Sequence, residues 1–237
     1  MRYPVSFLQR AYDQIIHDVC FMNLHVVFAI DRAGFVGNDG HTHNGLHDIS
    51  YLDSMPNMTV LSPRDYSDLK KCMEYAVNKC EGPVAVRYPR GSSVFEEDGP
   101  LYTEAEDLFK PHVQTDHGDD FAVISVGTIA AECEKAVSIL LEKGKKGKHI
   151  NVTSVKPIPA REISELTRNV PVVFTVEEAI LSGGFGENLC EALKGSGKNI
   201  VPFGVKDQMV RAGTYKEQLK DSGLDAESIA CYILKVL

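Results

Sequence analysis

Apolar and polar positions along this chain follow two periods, and the periods trade places in a regular order. Phe7, Ala11, Ile15 and Val19 recur at helical spacing, which predicts a helix over residues 6–23 with Ser6 as its cap. A short apolar run at 25–30 (HVVFAI) reads as a buried strand. A polar, glycine-punctuated stretch comes next, then a strand at 58–61, a helix opening at Ser62-Pro63 and running to 78, and a third strand at 83–88. From 91 to about 119 the pattern lapses into an acidic segment with Pro100 and Pro111, which reads as a linker. Strands are then expected at 121–126, 150–155, 170–176 and 200–205, and helices at 129–143, 160–167, 184–193 and 226–236.

Strict alternation of strand and helix predicts an α/β protein with two parallel-rich sheet domains, each carrying helices on both faces. The expected domains are 1–104 and 105–237. Three strands are few for a stable open sheet, so the first domain is expected to be truncated on its N-terminal side, or completed by a partner. No internal repeat relates the two halves.

Composition narrows the class. Apolar residues make up 43% and charged residues 24%, an ordinary balance for a globular protein. A net charge of −8 argues against non-specific nucleic-acid binding. No apolar run approaches a membrane span, and the Met1-Arg2-Tyr3-Pro4 start has no signal core, so no membrane association and a cytoplasmic protein are expected. The six cysteines are dispersed, without a CxxC pair, and read as small hydrophobes.

Candidate chemistry gathers in two places, each after a strand. Residues 30–48 (IDRAGFVGNDGHTHNGLHD) offer Asp31, Arg32, Asp39, His41, His43, His47 and Asp48 between glycines. Ligands collect at strand carboxyl ends in parallel sheets, and a connection this long is uncommon without a function. The histidine spacing offers zinc-compatible donors but lacks the firm pattern of a structural zinc site, so no metal site is assigned. Histidine beside a substrate, moving protons, fits better. The second place is Val86 to Gly91 (VRYPRG), where Arg90 sits between proline and glycine. Arg32 and Arg90 together would suit one phosphate, while a surface ion pair of Arg90 with Glu96 or Glu97 is the plain alternative. The glycines at 183, 184 and 186 come after Glu177-Glu178, which would repel a phosphate, so close packing of helix on strand is expected there.

Several phrases carry a resemblance: SFLQRAYDQIIHD at 6–18, FAIDRAGFVGNDGHTHNG at 28–45, DISYL at 48–52 and VRYPRG at 86–91. Across residues 5–91 the chain resembles the 1-deoxy-D-xylulose-5-phosphate synthase family of the transketolase superfamily. The second half resembles the family's carboxy-terminal domain more loosely, through Val155-Lys156-Pro157-Ile158 and Val176-Glu177-Glu178. The resemblance implies a thiamine-diphosphate and Mg2+ enzyme that condenses pyruvate with glyceraldehyde 3-phosphate, releases CO2 and acts as a homo-oligomer. It implies that Phe7 stacks on the cofactor's aminopyrimidine, that Arg10, Arg32 and Arg90 line the substrate and phosphate end, and that Asp39 and His43 face the reacting carbons. The chain departs from the family pattern at Pro4, where tyrosine is usual, and at His41 and Asn44, where glutamine is usual. The family's Gly-Asp-Gly, which holds the metal and the diphosphate, occurs nowhere in the 237 residues.

The resulting expectation is a carboxy-terminal fragment, inactive and self-associating alone, which needs a missing N-terminal domain or a separate subunit. A subunit of a split transketolase-type enzyme and a non-catalytic α/β interaction module stay open as alternatives. The β subunit of a 2-oxoacid dehydrogenase shares the two-domain plan, but the Asp-Arg-Ala-Gly and His-Thr-His phrases point away from it.

Overall fold

The computed structural model describes residues 2–91 and 104–237. Its first half begins with β1 (Arg2–Pro4), α1 (Val5–Leu8), a tight turn at Gln9–Ala11, α2 (Tyr12–Gln14) and a widened π-type turn at Ile15–Cys20. The helix expected at 6–23 is therefore present but irregular. Its proposed cap is corrected: Ser6 lies inside the first helical turn, and its Oγ is buried without a partner. Then come β2 (Val27–Asp31), α3 (Asp48–Asp53), β3 (Thr59–Leu61), α4 (Tyr66–Asn78) and β4 (Val84–Tyr88). The helix α4 starts four residues later than Ser62 because Asp65 is its cap, accepting from the Asp68 amide at 2.9 Å.

The second half holds β5 (His112–Asp116), β6 (Phe121–Val126), α5 (Ala130–Glu142), β7 (Gly147–Val152), β8 (Ser154–Lys156) and α6 (Ala160–Leu166). It closes with β9 (Val172–Ile180), α7 (Phe185–Ala192), β10 (Asn199–Val205), α8 (Tyr215–Asp221) and α9 (Ala226–Val236). Part of the expected linker, and the proposed partners Glu96 and Glu97, lie outside the described residues. Within the described part of that segment, Leu108 packs fully buried against Cys72, Val84 and Val86 of the first half. Thus residues 105–109, beyond the expected boundary, lie on the first sheet's helix α4.

Each half builds a five-stranded sheet, ordered β1-β2-β4-β3-β8 and β10-β9-β6-β7-β5. Four strands in each run parallel and the last is antiparallel. The expected count of three strands in the first sheet is corrected from within the chain. Residues 2–4 add one edge, and β8, which splits the expected strand at 150–155, crosses from the second half to add the other.

Alternate residues of β6 divide between two faces. Phe121 and Val123 meet Val137 and Leu140 of α5 with Ile229 and Ile233 of α9. On the other face Ala122 and Ile124 meet Ile163 of α6 with Phe185 and Leu189 of α7. That second cluster continues without a break into Ile30, Ile49, Leu52, Met55 and Val60 of the first half, so the two sheets share one core. Among the described residues no helix is long and apolar enough to cross a membrane. All six cysteines are free.

Candidate functional site

Register decides where the candidate residues go. Pro4 of β1 pairs with Asp31 of β2, and Asp31 pairs with Tyr88 of β4, so three parallel strands end side by side. The chain leaves those ends as the turn carrying Phe7 and Arg10, as the loop 32–47, and as the turn carrying Arg90. Residues far apart in sequence thereby meet at one carboxyl edge.

They form two neighbouring groups. In the first, the rings of Phe7 and His43 stand perpendicular with centroids 5.5 Å apart, and the Arg10 guanidinium lies 5.7 Å from the centre of the Phe7 ring. Phe7 is 39% exposed, which is unusual for an aromatic beside a core and leaves ring surface for another ring. Thr42 Oγ1 lies 3.0 Å from His43 Nδ1. Phe7, Arg10 and Thr42 of this group line a cleft of about 450 Å³ together with Gln208, Met209 and Val210 of the second half.

In the second group Asp39 is the hub. Arg32 donates through Nε to Asp39 Oδ2 at 3.3 Å and through Nη1 to Asp31 Oδ2 at 3.0 Å, and Arg90 pairs with Asp39 Oδ1. The two arginines named as one clamp are thus brought together, but each already faces a carboxylate. Arg32 holds a left-handed backbone, φ 66°, which turns the chain at the strand end.

Beneath both groups the loop stands on buried polar chemistry. Arg87, 4% exposed, donates through Nε and Nη2 to Asp48 Oδ2 and Oδ1 at 2.6 and 3.2 Å. It also reaches Ser62 Oγ at 3.3 Å and the Glu178 carbonyl at 3.4 Å. Asn44 accepts the Val36 amide at 3.0 Å, so this departure from the family pattern braces the loop internally. Gly34 and Gly45 exchange both backbone hydrogen bonds at 2.8 Å. A Cβ on Gly45 would stand 2.0 Å from Val5 Cγ1 and 2.4 Å from the Arg32 carbonyl, so only glycine fits that crossing.

Spacing in the sequence does not mark Glu177 and Glu178 as site residues, yet both support the loop and its neighbours. Glu178 accepts the Phe35 amide at 2.6 Å and the Tyr215 hydroxyl at 3.1 Å. Glu177 accepts the Phe185 and Gly186 amides at 2.8 and 2.9 Å, so the chain's own carboxylate fills the start of α7. Burial pushes both carboxyls up to about 7, against the pull of those amides and of Arg87. Close helix packing holds as expected, since a Cβ on Gly186 would meet Thr175 Oγ1 at 2.4 Å. Asp48 and Asp39 are committed to arginines, and among the described residues no three His, Cys, Asp or Glu side chains gather as metal ligands do.

Fold and site define a class: paired, mostly parallel sheets sharing one core, with a long polar loop across the carboxyl edge of the first. The transketolase pyrimidine-binding domain matches residues 5–94 and the transketolase C-terminal domain matches residues 111–229. The chain belongs to the transketolase family. It is 40% identical over 98% of its length to 1-deoxy-D-xylulose-5-phosphate synthase of Thermomicrobium roseum, and 41% identical over 98% to that of Syntrophus aciditrophicus. It spans only 37% and 36% of those two proteins. Among solved structures it is similar to one titled "Split gene transketolase, inactive beta4 tetramer", with a TM-score of 0.85 and 26% identity. That match covers 99% of this chain and 74% of the other. Transketolase of Campylobacter jejuni shares the fold, with a TM-score of 0.78 and 16% identity, over 99% of this chain and 35% of the other.

Proposed function

We propose that this chain supplies the phosphosugar half of the active site of a thiamine-diphosphate-dependent synthase. That enzyme condenses pyruvate with glyceraldehyde 3-phosphate to 1-deoxy-D-xylulose 5-phosphate, with release of CO2. The observation that carries the reading is the meeting of Phe7, Arg10 and His43 beside Arg32, Asp39 and Arg90 at one strand edge, drawn from three strands.

The exposed ring of Phe7 suits stacking on the cofactor's aminopyrimidine, and thiamine diphosphate, when bound, supplies the carbanion chemistry. Arg32 and Arg90 bind the sugar phosphate in place of Asp39, because a phosphate offers the two guanidinium groups more charge and more acceptors than one carboxylate. Arg10 lines the substrate end. Asp39, released from its arginines, and His43 hydrogen-bond the sugar hydroxyls, and His43 carries a proton at the reacting carbonyl oxygen. Mg2+ and the diphosphate are held outside this chain, by an N-terminal domain or separate subunit, and the chain alone is inactive. The working assembly is a soluble, cytoplasmic homo-oligomer.

A second reading, a subunit of a split transketolase-type enzyme, is favoured by likeness to the structure titled as a split gene transketolase. Both are tested by mixing the chain with an N-terminal synthase domain or a candidate partner, thiamine diphosphate and Mg2+. Pyruvate decarboxylation is then measured with and without glyceraldehyde 3-phosphate. Triose-stimulated CO2 release is the expected result. Release stimulated equally by an unphosphorylated aldehyde would remove the phosphosugar assignment.

A further inference from the structure

The loop 32–47 leaves a strand of the first sheet, yet the second half of the chain holds much of it in place. Its two apolar anchors, Phe35 and Leu46, are 1% and 5% exposed and belong to the core cluster of Phe174, Val176 and Leu219. Three of its backbone groups are satisfied across the same boundary. The Phe35 amide donates to Glu178 Oε1 at 2.6 Å, the Gly37 amide to Gln218 Oε1 at 2.8 Å, and the Ile180 amide to the Leu46 carbonyl at 2.9 Å. Each side-chain acceptor is itself fixed. Tyr215 donates to Glu178 Oε2 at 3.1 Å, and Gln218 Nε2 donates to the Arg211 carbonyl at 3.0 Å. Gly34, at φ 79°, makes room for the carboxyl, because a Cβ there would stand 2.5 Å from Glu178 Oε1.

Asp39, His41 and His43 lie between these anchors. Among the described residues no hydrogen bond joins Glu178 or Gln218 to them, neither lines the cleft beside Phe7, and both are buried, Glu178 at 3% and Gln218 at 1% exposure. A polar group that is buried, oriented by a second partner and aimed at a loop amide fixes backbone position instead of contacting ligand. We propose that Glu178 and Gln218 are positioning residues for the phosphosugar pocket, by which the carboxy-terminal half sets the position of Asp39 and His43 through the amides of Phe35 and Gly37. The proposal rests on the function proposed above for its ligand, but its structural half stands without it.

The test uses the whole chain and two readouts. Amide hydrogen exchange is monitored at Phe35 and Gly37, with Ile124 of β6 as the internal reference, and calorimetry measures binding of glyceraldehyde 3-phosphate. Glu178→Ala is expected to speed exchange at Phe35 at least about tenfold while Ile124 keeps its protection. It is expected to weaken triose phosphate binding by about tenfold, since small misplacements of positioned groups are costly. Glu178→Gln keeps an acceptor for the Phe35 amide and is expected to restore both readouts. Gln218→Ala gives the same pattern at Gly37, so the proposal stays testable if Glu178→Ala fails to fold. Loop exchange unchanged in the folded variants would overturn it, and so would exchange that rises equally at Ile124. Triose phosphate binding absent from the unmodified chain would sink the functional reading alone, with the exchange result still deciding the positioning role.

Discussion

Arg87 shows how one residue ties the halves together. Its strand, Val-Ala-Val-Arg-Tyr, is otherwise apolar, and a cation in such a run demands a buried partner. That demand is visible in the sequence, but the partner is not. Asp48 stands among the candidate donors of the histidine loop, and only the fold pairs it with Arg87 at 2.6 Å. Arg90, three residues on, is marked by its place just past the strand end, and it does face the site edge. Arg87→Met leaves Asp48 as an uncompensated buried charge and is expected to cost about 3–5 kcal/mol of stability. In urea unfolding, the double variant Arg87→Met with Asp48→Leu should recover part of that loss. A single variant within about 1 kcal/mol of the unmodified chain would show the pair to be dispensable.

At the scale of elements, most strands and helices are legible because period and length agree: β6 and α9 fall where the pattern puts them. The failures have physical causes. β9 runs on to Ile180, past its expected end, because Glu177 and Glu178 are buried on hydrogen bonds, whereas acids in a pattern read as solvent-facing. β1 and β8 have three residues each and exist only through pairing with distant strands. α8 lies outside the expected helices although it carries a local signal, since Thr214 and Glu217 form a capping box.

The acids of β9 also set a pH dependence. Burial raises the folded-state values of Glu177, Glu178 and Asp68 to about 7, above the usual carboxyl range. Between about pH 4.5 and 7 the folded chain therefore holds protons that the unfolded chain has released, and stability falls as pH rises. His149, which burial pushes down to about 3, and His112, which burial also lowers, act in the opposite direction below about pH 6.5, two histidines against these three carboxyls. Urea midpoints are expected to be higher at pH 5 than at pH 7.5. Glu178→Gln should flatten that slope by up to about 1.4 kcal/mol per pH unit. A midpoint that rises with pH across this window would show these carboxyls to be ionised in the fold.

For the whole molecule, a parallel-rich α/β plan is readable from alternation alone, but the joining of the two sheets is not. One core cluster runs through both, β8 crosses from one half to the other, and the loop that carries Asp39 and His43 is seated on the second half. These are long-range contacts, which periodicity cannot register. The candidate residues themselves are picked out through phrases rather than through spacing, and the fold brings them to one edge in two adjoining groups. The central claim is that this edge takes a phosphorylated sugar, and calorimetric titration of the chain with glyceraldehyde 3-phosphate tests it most directly. Saturable binding in the unmodified chain, weakened at least about tenfold when Arg32 and Arg90 are both replaced by methionine, is the predicted result. Absent binding, or equal binding by the two proteins, would contradict it.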